Sequence, residues 1–178
     1  MLTPAEKSTW DAYCQLRLMR YEMDKEDEIY NYRDVLRQNR PGQFVWELLQ
    51  NAEDAKATRI LFELDKDGLT CHHDSKSDFS IKDAKSISKI GVSEKIGKAA
   101  IGQFGTGFKS VFKYADRAEI HSGNLHFALE DYVKIINNIP ALKNENHSNF
   151  TTQFRICFSK DSKAVSYTHL TLPTKRIV

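Results

Sequence analysis

The amino-acid sequence predicts an α+β domain, and three observations carry that expectation. Apolar residues recur at helical spacing through the first 57 positions, and from position 59 the period switches to strand-like alternation between turn residues. The elements run helices, hairpin, helix, glycine loop, helix and then several strands, with no internal repeat and no regular βαβ units. The chain has 178 residues, and at about 150 residues per domain one core is expected, burying roughly 70% of the unfolded surface.

Taken in order, a first helix is expected over 4–20, with Thr3 as N-cap, Pro4 at its first position, and Trp10, Tyr13 and Leu16 at helical spacing. The polar stretch DKEDE at 24–28 reads as a joint into a second helix over 28–38. Arg40-Pro41-Gly42 stops that helix, because the residue before proline disfavours helical torsions. A third helix over 42–57 carries Phe44, Val45, Leu48, Leu49 and Ala52 on its apolar side. RILFEL (59–64) and LTCHH (69–73) flank Asp67-Gly68 and predict a hairpin. A short helix over 80–89 has Ser80 as cap and Asp83 at its N3 position. A glycine-bearing stretch (91–107) then leads into a helix over 107–115, strands follow at 117–121, 125–130 and 152–158, and 137–150 reads as an irregular loop.

Composition narrows the function classes. Apolar residues make up 40% and charged residues 28%, with a net charge of +2, so no global field draws the chain to nucleic acid, and this segment does not support such a partner. No run of 18 apolar residues exists to span a membrane, and the N-terminus lacks the pattern of a secretory signal. Three scattered cysteines, Cys14, Cys71 and Cys157, point to free thiols in a reducing, cytoplasmic setting. The final segment, 164–178, holds no acidic residue, and its string SYTHLTLPT reads as a non-native adaptor or cloning-junction sequence. Without it the charge balance is zero. The expected organisation is a helical extension over 1–24, a domain over 25–163, and this tail.

Two features carry chemistry. In IGQFGTGFKS (101–110), Gly102, Gly105 and Gly107 let the backbone approach a ligand without Cβ clashes, and a helix begins directly afterwards. That is a cradle for an anion, with phosphate its usual occupant. It is no Walker A loop, since Phe108 separates Gly107 from Lys109, and its G-x-x-G-x-G spacing reverses the dinucleotide pattern. Glu47, Asn51 and Asp54 of the third helix fall on one face at i, i+4 and i+7. A carboxylate there can accept a proton from water, and an amide oxygen can ligate a hard cation.

Together, ELLQNAEDA (47–55) and IGQFGTGF (101–108) resemble two nucleotide-binding boxes of the GHKL ATPases, and most of all the ATP-binding modules of sacsin and NO VEIN-like proteins. The resemblance covers about residues 25–160. It implies a two-layer α/β sandwich, the Bergerat fold, with a mixed, mostly antiparallel sheet and helices on one face. It assigns Glu47 as the base that polarises the attacking water, Asn51 as the Mg²⁺ ligand, and Asp54 as a residue beside the nucleotide. Gly102, Gly105, Thr106, Gly107 and Phe108 would hold the phosphates, Ser93 and Lys95 would belong to a lid, and Thr152 would reach the adenine pocket. Asp74 would read the adenine amino group, with Asp78 a weaker competitor, although HHDSKSDFS (72–80) departs from the family's box: Ser75 replaces glycine and Asp78 is inserted.

The function so implied is Mg²⁺-dependent ATP binding with slow hydrolysis, driving lid closure in a larger protein. Its partners are ATP, further domains of the same chain, and a second copy where the protein dimerises. A nucleotide-binding regulatory module without turnover is the alternative. A histidine kinase would need an acceptor helix upstream, and no histidine precedes His72. Cys71, His72 and His73 alternate across a strand and cannot share one metal ion. Lys109 and Lys113 read as the solvated face of their helix.

Overall fold

A computed structural model describes residues 2–37, 42–88, 107–142 and 149–160. Helix α1 (Pro4–Arg37) is followed by α2 (Gln43–Asp54), the hairpin strands β1 (Ile60–Leu64) and β2 (Gly68–His73), and α3 (Ile81–Ser88). A 3₁₀ helix (Phe108–Lys113) leads into β3 (Ala115–Ser122), β4 (Leu125–Glu130), β5 (Lys134–Asn137) and β6 (Thr152–Phe158). The fold is α+β, a two-layer sandwich of helices on an antiparallel sheet.

Local signals in the sequence set several of these boundaries. Thr3 and Glu6 form a reciprocal capping box on α1: Thr3 N–H donates to Glu6 Oε2 at 2.8 Å, and Glu6 N–H to Thr3 Oγ1 at 3.3 Å. Ser80 and Asp83 repeat the device on α3, at 3.0 and 3.2 Å. The joint expected at 24–28 is a kink within α1, where Asp24 leaves helical torsions at φ −121° and ψ 25°. In the hairpin turn, Asp65 Oδ1 accepts from Asp67 N–H (2.7 Å) and Gly68 N–H (2.9 Å). Gly68 is required by proximity, since a Cβ there would strike the carbonyl oxygen of Ile156.

Among the described residues six strands order as β1-β2-β6-β3-β4-β5, and every pairing is antiparallel. Strand β6 therefore lies in the interior, between the first hairpin and the β3–β4–β5 meander. One sheet face, carrying Leu69, Cys71, Ile120, Phe127, Phe154 and Ile156, shares a core with Trp10 of α1, Phe44 and Leu48 of α2, and Ile87 of α3. Trp10 meets Phe127 edge-on at 5.1 Å, and its indole N–H donates to Asn137 Oδ1 at 2.9 Å, fastening α1 to β5. The opposite face is polar. Arg117 pairs with Glu119 and Glu130, and Arg155 pairs with Asp65. Among the described residues no helix is long and apolar enough to cross a membrane.

Candidate functional site

Glu47, Asn51 and Asp54 fall on one face of α2, beside the buried stripe of Phe44, Leu48 and Ala52. The Glu47 carboxylate lies against Gly107, so close that a Cβ on residue 107 would overlap both of its oxygens. Gly107 has φ −63° and ψ −45°, an ordinary helical conformation, so space rather than torsion calls for glycine at this position. The end of the glycine stretch is thus seated on the second turn of α2, at Glu47.

Further along the same face, Asn51 and Asp54 line a cavity of about 290 Å³. Its other walls include His73 from the end of β2, Ser75 and Asp78 from the loop that follows, and Thr152 and Phe154 of β6. Thr152 is buried, with its Oγ1 2.7 Å from Ser122 Oγ and 3.2 Å from Ser75 Oγ. Ser75, where the resemblance expects glycine, uses its hydroxyl to join this cluster and also reaches Thr151 Oγ1 at 2.9 Å. His73 stacks on Phe154 at 5.9 Å and is 2% exposed, and its Nδ1 has no hydrogen-bond partner among the described residues. Burial pushes its pKa down to about 4 despite the neighbouring Asp74 carboxylate, so the ring is neutral near pH 7. The cavity is therefore walled on this side by a neutral imidazole whose Nδ1 is itself buried.

Asp74, expected in the same place, lies outside this lining. Its carboxylate accepts from Thr58 N–H and Arg59 N–H at 2.7 Å each, from Thr58 Oγ1 at 2.8 Å and from Arg59 Nε at 2.9 Å. Burial works against ionisation there, but the donors of Arg59 and Thr58 outweigh it and hold the group well below the usual carboxylate range. The residue is committed to the start of β1, and Asp78 is the acidic residue of this loop that lines the cavity, with its carboxylate against Gly123. His73 and Ser75 are members that the sequence reading missed, and the altered HHDSKSDFS box was the signal that could have exposed them.

The remaining positions divide cleanly. Phe108 places its ring in the core, 5.7 Å from Phe154. Ser93, Lys95, Gly102, Gly105 and Thr106 lie outside the described residues, as does the 164–178 tail. The helix after the glycines is a six-residue 3₁₀ turn, because Tyr114 N–H closes on Val111 and the chain enters β3 one residue later. Lys109 is not solvated: it is 1% exposed, and its Nζ donates to the Tyr132 carbonyl. His72 and His73 point to opposite faces, with His72 Nε2 2.8 Å from Glu63 Oε2 on the polar side.

Three likenesses bear on this arrangement. A family model described as the sacsin domain matches residues 25–175. Protein NO VEIN of Arabidopsis thaliana is 36% identical over an alignment of 93 residues that covers 49% of this chain and 3% of that protein. The crystal structure of the N-terminal domain of a DNA repair protein superposes with a TM-score of 0.51 at 18% identity, covering 77% of this chain and 43% of the other. At that identity the superposition speaks to fold alone.

Proposed function

The chain belongs to the sacsin domain family, and from that premise we propose that it is the ATP-binding portion of a larger protein, working with Mg²⁺ and hydrolysing ATP slowly. The observation that carries the reading is the single polar face of α2. Its second turn, at Glu47, holds the segment leaving the glycine loop, and its last turns wall the 290 Å³ cavity. A nucleotide with its base in the cavity and its phosphates towards the glycines would run along that face. The residues fit the cation as well, since the Asn51 side-chain oxygen is a hard donor of the kind Mg²⁺ takes, with Asp54 on the same face. When bound, the ion would supply charge neutralisation at the phosphates.

In this reading Glu47 accepts a proton from the water whose oxygen attacks the terminal phosphorus. The bond from that phosphorus to the β-phosphate oxygen breaks, releasing ADP and inorganic phosphate. Asp78, His73 and Thr152 line the base pocket. Ser93 and Lys95 would close over the phosphates and exclude water.

Isothermal titration with ATP and Mg²⁺ tests the proposal. Saturable binding is expected, kept but without turnover in Glu47→Ala and weakened in Asn51→Ala. No heat and no thermal shift at millimolar nucleotide would sink it. One observation favours a module that binds without turnover: Asp74 is tied to Thr58 and Arg59 rather than to the cavity. Phosphate release by the wild-type chain, absent in Glu47→Ala, decides between the two.

A further inference from the structure

The β3–β4 hairpin sets two histidines directly opposite each other. His121 and His126 are cross-strand partners on either side of the Gly123-Asn124 turn, so both side chains rise from one face of the sheet. Their Nδ1 atoms are 3.2 Å apart, with ring centroids at 5.3 Å and planes inclined by 43°. In a tetrahedral ion with bonds of 2.0–2.1 Å, two imidazole nitrogens stand about 3.3 Å apart. The spacing of this pair is therefore the bite of a metal chelate. We propose that His121 and His126 form a binding site for a divalent transition ion, each ligating through Nδ1.

A second feature supports the assignment. His121 is 4% exposed and its Nε2 makes no hydrogen bond among the described residues, yet Glu119 Oε2 lies 3.6 Å away. Metal-bound histidines commonly turn the remaining ring N–H to a carboxylate, which fixes the tautomer and raises ligand basicity. Glu119 is placed to favour the Nε2–H tautomer of His121, which leaves the Nδ1 lone pair facing His126. Without metal, His126 Nδ1–H donates to that lone pair. On metal binding, the His126 proton moves to its own Nε2, so the neutral pair gains an ion and loses no proton. Both rings line a cavity of about 360 Å³ that also includes Asp78 and Gln153, which gives the ion a way in. No third His, Cys, Asp or Glu completes a cluster among the described residues, so water fills the remaining positions.

The proposal does not rest on the nucleotide reading, although Asp78 lines both cavities, and it is tested by Cu²⁺ titration of the full chain without nucleotide, since Cu²⁺ heads the affinity order for nitrogen ligands. One saturable equivalent is expected, with an electron paramagnetic resonance spectrum showing two nitrogen ligands and Zn²⁺ competing. His126→Ala and His121→Ala should each weaken binding at least about tenfold and leave one nitrogen, and Glu119→Gln should weaken it about tenfold. Should His126→Ala fail to fold, His126→Gln replaces it, while His72→Ala, elsewhere on the same face, should leave binding unchanged. Unaltered affinity and nitrogen count in folded His121 or His126 variants, or no saturable equivalent in the wild type, would overturn the assignment.

Discussion

His73 is almost wholly enclosed, and burial holds its pKa near 4 against an ordinary value of 6.5. Between those two values the unfolded chain binds a proton at this position that the folded chain refuses. Unfolding free energy contributed by His73 therefore rises with pH across that window. It is fully present above about pH 6.5 and is lost as the pH falls towards 4, with a magnitude on the order of 3 kcal/mol. Urea midpoints at pH 4.5 and pH 7 should differ less for His73→Gln than for the wild type. An equal difference would place the pH sensitivity elsewhere. Nothing in a pair of histidines beside an aspartate announces this behaviour in the sequence, because it depends on Phe154, a residue 81 positions away, stacking on the His73 ring. Glu47 and Gly107 were legible as residue types suited to phosphate chemistry. That the carboxylate occupies the space of the missing Cβ is a fact of packing, and spacing alone does not give it.

At the scale of elements, Asp74 acts as a clamp. Four donors from Thr58 and Arg59 converge on its carboxylate, so the end of β2 is fastened to the start of β1. Asp74→Ala should destabilise the domain by about 1.5–3 kcal/mol in chemical denaturation, the range for hydrogen bonds to a charged group. It should leave ATP affinity largely intact, whereas Asp78→Asn should weaken ATP binding with little change in the denaturation midpoint. The reverse pattern in the two variants would return base recognition to Asp74. Elements whose ends are decided within four residues, such as the two capped helices and the hairpin at Asp65–Gly68, were readable in advance. Strand β5 was not. Its four residues, KIIN, carry too little alternation to signal a strand, and they become one through pairing with β4 and the Trp10–Asn137 hydrogen bond.

For the whole molecule, period and turn chemistry gave only an α+β layer, and the family resemblance supplied the sandwich. Strand order is invisible to local pattern because it is decided by which strands find each other across long stretches of chain. The interior position of β6 makes an ordering of local stability measurable. Amide hydrogen exchange should be slowest in β6 and β3, each paired on both sides, and faster in the edge strands β1 and β5. Rapid exchange in β6 alongside protected edges would contradict the strand order.

The same placement bears on how the protein is made. A ribosome releases β1 to β5 before β6, so the growing chain holds a hairpin and a meander that cannot yet join. Until residue 158 is free, β2 and β3 each turn a row of unpaired backbone groups towards the gap that β6 will fill. Those rows are the surfaces most open to pairing with a neighbouring nascent chain. Translation that stalls before β6 would therefore leave a sticky, half-built sheet, and the safety of synthesis rests on how quickly the seven residues Thr152–Phe158 arrive.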